Sequence, residues 1–249
     1  MLQRKKKGNF SKTAFFFDRD TVLTKFWAEK KPRLMVPPFH TMRDYWLLQK
    51  MNKEFMETRD IPKGMIMPVP KVEGEESVKR RMDEENKFYF KMQDLGLGGR
   101  HEVLQAWKFR KFLNKDPDFD REIGRKIGRA FGFLHRHIDA NDAELHFVVR
   151  RDSKGEVRAR DVTPYVLDFG MSRTLEEAGE KYHREGELTD LLASTIYFQL
   201  VNARPKKDSP LLEGLREGYL ELNPERRDVI ESFERYVKKR GFPLRKLQF

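Results

Sequence analysis

Read for its alternation of apolar and polar residues, the chain falls into a β-prone beginning and a mainly helical remainder. Thr13 to Phe17 and Thr21 to Trp27 are two β-type runs around Asp18-Arg19-Asp20, which predicts a tight hairpin. After a Pro-containing loop, Thr41 is placed to cap a helix reaching about Glu57, with Leu47 or Leu48, Met51 and Phe55 at helical spacing. Met65 to Val69 lies among prolines and is expected to be an edge strand at most. Phe88 to Met92 predicts a short buried strand. From there the helical period dominates: Asp120 to Arg136 carries the stripe Ile123, Ile127, Ala130, Phe131 and Leu134, with Asp120 as the expected cap. Leu145 to Val149 reads as a strand that turns at Asp152 to Gly155 and returns through Val157 to Tyr165–Leu167. Further helices are expected at Glu187 to Val201, from Ser209-Pro210, and from Pro224.

This pattern singles out Leu134 to Arg173. Asp139 and Asp168 sit beside two apolar segments that can pair antiparallel, and such pairing would gather carboxylates distant in sequence, a common route to a divalent-metal site. Gly96, Gly98 and Gly99 follow the last predicted strand of the first half. They mark a joint at 93–99 between a β-rich unit, 1–92, and a helical unit, 100–249.

Composition narrows the chemistry. With 249 residues and 20 Phe, the chain can bury a sizeable core despite 37% charged residues. The absence of Cys removes disulfides, thiolate zinc sites and cysteine nucleophiles, and the six His show no zinc-like spacing. No signal-peptide core and no apolar run of about 18 residues is present, so a cytoplasmic or nuclear protein without a membrane partner is expected. The net charge of +11 favours anionic partners, although it is dispersed apart from Arg4 to Lys7 and Lys238 to Lys246.

The tripeptide Asp168-Phe169-Gly170 is common by chance. Here it follows a β-type Tyr-Val-Leu, and a helix, a His137-x-Asp139 loop and a hairpin precede it in order. On those residues the chain resembles the protein kinase-like superfamily, in particular its aminoglycoside and choline kinase-like branch. The resemblance implies an α+β, bilobal fold with a small β-rich N-lobe and a mainly helical C-lobe, and a cleft for ATP and Mg2+ between them. It implies that Lys25, in Val-Leu-Thr-Lys-Phe, binds the α- and β-phosphates, and that Asp44 stands where the family has the helix glutamate paired with that lysine. Read without the family, Lys25 is an edge-strand charge or an inward cation held by a carboxylate, and Asp44 suits the helix dipole in any case. Asp139 matches the base that accepts the hydroxyl proton, with Asp142 as a rival, and Asp168 matches the magnesium ligand. Glu144 replaces the metal-binding asparagine, keeping an oxygen donor and adding a charge. Gly8 is the remnant of a glycine-rich phosphate loop, and no Ala-Pro-Glu sequence follows the Asp-Phe-Gly.

Ile138 to Glu144, Ile-Asp-Ala-Asn-Asp-Ala-Glu, is also similar to an uncharacterised fungal family often labelled zinc-finger-like. Asn202 to Pro205 and Leu215 to Leu222 look like that family's C-terminal helices. A chain without cysteine cannot carry the zinc-finger label. Three functions are therefore expected: an ATP- and magnesium-dependent phosphotransferase acting on a small hydroxyl-bearing molecule; a pseudokinase that binds a protein partner or serves as a scaffold; and, as a minor alternative, a nucleic-acid-binding protein.

Overall fold

The structure, a computed structural model, describes residues 5–7, 13–17, 22–27, 38–72, 89–93, 95–96, 101–184 and 186–242. It is mixed helix and sheet. Strands β1 (Lys5–Lys7), β2 (Thr13–Phe17), β3 (Val22–Trp27) and β4 (Tyr89–Gln93) form an antiparallel sheet in the order β1-β2-β3-β4. The expected first hairpin is present as β2 and β3, and Lys25 occupies a central strand, opposite Phe15 on one side and Phe90 on the other.

Helix α1 (Pro38–Glu57) begins three residues before the expected Thr41 cap. Proline tolerates a first helical turn because that turn's N–H groups have no intrahelical partner. Tyr45, Leu48 and Met51 form its buried face. Met65–Val69 forms no strand, which corrects the edge-strand expectation. Pro68 and Pro70 lack the N–H groups a ladder needs. The segment instead works through its carbonyls and ends: Pro68 accepts from Val166 N at 2.7 Å, and Val72 bridges to Met92. Asn52 of α1 ties it down, accepting from Val72 N and donating to the Pro70 carbonyl.

A second sheet has the order β5 (Glu102–Gln105), β6 (Glu144–Val149), β7 (Val162–Leu167), antiparallel throughout. The β6–β7 pairing is the hairpin expected from the sequence. Strand β5 was not expected; its four residues pass directly into the short helix α2 (Ala106–Phe109), too brief for either period to declare itself. Phe109 stacks on Phe147 with ring centroids 3.9 Å apart, which seats α2 against β6.

Helix α3 (Pro117–Leu134) is capped by Asp116, not Asp120: the Asp116 carboxylate accepts from Asp118 N and Phe119 N, and Pro117 takes the first helical position. Asp120 is buried and accepts from Asn114 N at 2.8 Å. The remaining α-helices among the described residues are α4 (Leu175–Lys181), α5 (Glu187–Val201), α6 (Pro210–Leu222) and α7 (Arg227–Arg240). The last begins at Arg227, beyond the expected Pro224, which sits in the preceding turn.

The α3–α6 contact is built from glycine. A Cβ on Gly124 would lie 1.9 Å from the Leu211 carbonyl oxygen, and one on Gly214 would lie 1.9 Å from that of Arg121. Gly128 and Gly218 are nearly as tight, at 2.1 Å from the Leu215 and Arg125 carbonyls. Two helix backbones therefore touch where side chains would ordinarily hold them apart. Arg121, Arg125 and Arg129 border this seam and pair with Glu217 and Glu221 across it.

Candidate functional site

The seam positions the C-terminal end of α3, and the chain leaves it through His135, whose ring is fully buried. Thr195 Oγ1 donates to the Leu192 carbonyl, so it accepts from His135 Nε2 at 3.1 Å, and Nδ1 accepts the Tyr219 hydroxyl at 3.2 Å. Burial holds this imidazole neutral, depressing its pKa to about 3.

The next turn carries His137-Ile138-Asp139, which pairs with Arg173-Thr174-Leu175. Ile138 bridges Thr174, Asp139 N donates to the Arg173 carbonyl at 2.9 Å, and Leu175 N donates to that of His137 at 3.0 Å. Asp139 is 0% exposed. Its Oδ1 accepts from Asn141 N at 3.1 Å and Arg173 N at 2.8 Å. Its Oδ2 has no hydrogen bond and lies 3.6 Å from the Arg173 guanidinium. Burial pushes the carboxyl pKa up, against the opposing pull of the two backbone donors and the Arg173 and Arg43 charges. Both Asp139 oxygens are buried, so the carboxylate does not face solvent in this structure.

Asp142, Glu144 and Asp168 are exposed. Glu144 opens β6 opposite Leu167, so Asp168, the residue after Leu167, emerges at the same end of the hairpin. Asp142 stands exposed in the preceding loop. Ala140, Asp142 and Asp168 all have left-handed backbones, with φ of 49°, 57° and 64°. Aspartate tolerates this conformation better than most residues, whereas alanine gains nothing from its side chain there. His146, two residues along β6, has Nε2 3.8 Å from the Glu144 carboxylate.

Asp44 of α1 reaches this region directly. It is 1% exposed and its Oδ1 accepts from Phe169 N at 2.9 Å, which fixes the backbone just after Asp168. Its neighbour Arg43 donates to the Ser172 carbonyl and pairs with Glu177. Burial raises the Glu177 pKa, but the Arg43 contact and the Thr174 backbone donor outweigh it and the net shift is downward. Ser172 Oγ in turn donates to the Asn141 carbonyl at 2.9 Å. Thus α1, the Asp139 loop and the segment after Asp168 form one hydrogen-bonded unit.

Of the residues singled out in the sequence, Asp44, Asp139 and Asp168 meet in this unit, and Glu144 stands at its rim. Lys25 has a placed backbone on β3, and helix α1 lies against that strand. Gly8 lies outside the described residues. Arg43, Ser172 and Arg173 were not foreseen; only Thr174-x-x-Glu177, a capping-box spacing, was visible in sequence, and that box is formed.

Magnesium commonly takes one or two protein carboxylates and fills its remaining positions with water and phosphate oxygens. Glu144 and Asp168 are exposed hard-oxygen donors at one end of the hairpin. Among the described residues, no group of three or more His, Asp or Glu is arranged to hold a metal by itself. Nor, among those residues, is any helix long and apolar enough to cross a membrane.

No family model matches the chain, and no curated protein matches it either. Among solved structures, a co-crystal of WbdD with a kinase inhibitor aligns with 95% of this chain and 45% of its own, at 15% identity and a TM-score of 0.35. The chain therefore spans under half the length of that neighbour, and a likeness of this degree decides nothing about the site.

Proposed function

We propose that the protein is a bilobal, kinase-like phosphotransferase that uses ATP and Mg2+ to phosphorylate a small hydroxyl-bearing molecule. The observation that carries this reading is the β6–β7 register, which puts Glu144 and Asp168 at one end of a hairpin whose following amide is held by Asp44 of α1. In this reading residues 1–92 form the small lobe, 93–99 the joint and 100–249 the large lobe. Lys25 supplies a cation to the nucleotide phosphates, and Glu144 and Asp168 hold magnesium. When bound, the ion offsets phosphate charge. Asp139 organises the loop, and Asp142, exposed in the same loop, is the residue able to take a proton from the incoming hydroxyl.

The burial of Asp139 also favours a second reading, a pseudokinase that binds nucleotide or a protein partner without efficient transfer. Titration calorimetry with ATP, with and without Mg2+, separates the alternatives when combined with phosphate-transfer assays on Asp142→Asn, Asp168→Asn and Asp139→Asn. Magnesium-dependent heat that is lost in Asp168→Asn, with transfer lost in Asp142→Asn, is expected. Heat without transfer in any sample would leave the pseudokinase. Absence of both heat and thermal shift would sink both readings.

A further inference from the structure

Away from this site, strand β5 and helix α2 border an open groove of about 520 Å3. Its floor is apolar, formed by Val103, Leu104 and Trp107, with Val103 37% exposed. Its rim is cationic, formed by Lys108, Arg110 and Lys111. One acid, Glu102, lies among them, and its carboxylate is already taken: Arg151 donates to it at 2.9 Å and Lys111 at 3.4 Å. The Arg151 contact leads the forces that lower its pKa, against the cost of burial. Lys108 and Arg110 have no carboxylate partner among the described residues.

From this arrangement we infer that the β5–α2 groove is a docking site for an acidic peptide segment of a partner protein, with an apolar side chain against Val103 and Trp107 and carboxylates on Lys108 and Arg110. Glu102 shows the chemistry in miniature, since neighbouring cations of this surface already clasp a carboxylate. Charge complementarity sets the class of partner. Two features disfavour a nucleic acid. Trp107 is tied at its edge to Gln105, with Nε1 2.9 Å from Oε1, and its ring carries Lys108 Nζ 5.0 Å from the centroid, so that face is not open for base stacking. The volume suits a few residues, not a tracking backbone. The inference is independent of any phosphotransferase activity.

The test uses the full chain and two labelled probes, a peptide of alternating Glu and Leu and a single-stranded oligonucleotide, read by fluorescence anisotropy at low and physiological salt. Peptide binding should weaken at least about ten-fold in Lys108→Glu/Arg110→Glu, as charge reversal at a complementary contact predicts. It should hold in Lys238→Glu/Lys239→Glu, a control with the same net charge at exposed positions in the last turn of α7. Should the reversal variant fail to give wild-type circular dichroism, Lys108→Gln/Arg110→Gln replaces it, with a smaller loss expected. Absence of peptide binding, equal losses in variant and control, or oligonucleotide binding that is tighter and lost in the same variant would each overturn the proposal.

Discussion

The α3–α6 seam and the Asp139 hairpin lie at opposite limits of how a backbone can be held. In the seam, helical backbones meet through glycine, and the unpartnered buried oxygens of these helices, Asp120 Oδ1 and Ser209 Oγ, lie at their N-terminal ends; specificity comes from the absence of side chains, and three arginines on the rim add pairs of modest value. In the hairpin, non-glycine residues adopt left-handed conformations and a carboxylate is buried with one oxygen unpartnered. The first arrangement has no slack, and the second holds unfavourable terms in place through its neighbours. Strain and unsatisfied polar groups concentrate where a protein does chemistry or binds, and in the hairpin three left-handed residues and a buried carboxylate fall within one short hydrogen-bonded unit.

The comparison breaks first at the seam. Gly124→Ala forces a Cβ onto the Leu211 carbonyl, which no rotamer can relieve, and should cost about 4 kcal/mol or more in urea unfolding. Gly132→Ala, with its nearest contact at 3.2 Å, should cost far less, and Gly179→Ala, with nothing within 4 Å, should be neutral or stabilising. Equal effects at all three positions would mean that the backbones do not touch.

Next in size is the acid response of His135, which anchors the end of α3. The unfolded state takes a proton near pH 6.5, the folded state only near 3. The unfolded form therefore binds more protons between these values, and stability falls as pH drops from about 6.5 toward 3, by about 3 kcal/mol or more at the acid end. His135→Gln should flatten this limb of the stability profile; an unchanged slope would remove His135 as its source.

On the site side, Asp44→Ala strands the buried Phe169 N–H and should cost about 1–3 kcal/mol, with faster amide exchange over 169–174. Exchange unchanged there would show that the unit is held without α1. The smallest effect is at Ala140, where glycine relieves the left-handed backbone and should gain up to about 1 kcal/mol by thermal denaturation. A loss instead would show that the buried methyl group outweighs the strain.

Much of this was legible in the chain because it rests on local periodicity. The α3 stripe, the β2–β3 hairpin and the β6–β7 strands follow from apolar spacing, and their pairing was expected to gather Asp139 and Asp168; that Glu144 shares the hairpin end with Asp168 comes from the register. The α3 cap was misplaced because Asp116, Asp118 and Asp120 are equally good acids, and Pro117 was the deciding signal. Burial of Asp139 depends on the Arg173 backbone and on Arg43 of α1, partners far away in sequence, so no local pattern announces it. The same holds for the seam. Gly124, Gly128 and Gly132 show a four-residue spacing, as do Gly214 and Gly218, but spacing alone does not say that the two sets face each other.

Hydrostatic pressure favours states that eliminate internal voids. A seam in which carbonyl oxygens occupy the space a methyl group would need has almost no void to surrender. Compression should therefore leave α3 and α6 associated while the loops around Asp139 and Arg173, with their unfilled polar contacts, give way first. The pair is the incompressible part of this molecule, and the site is mounted on its end.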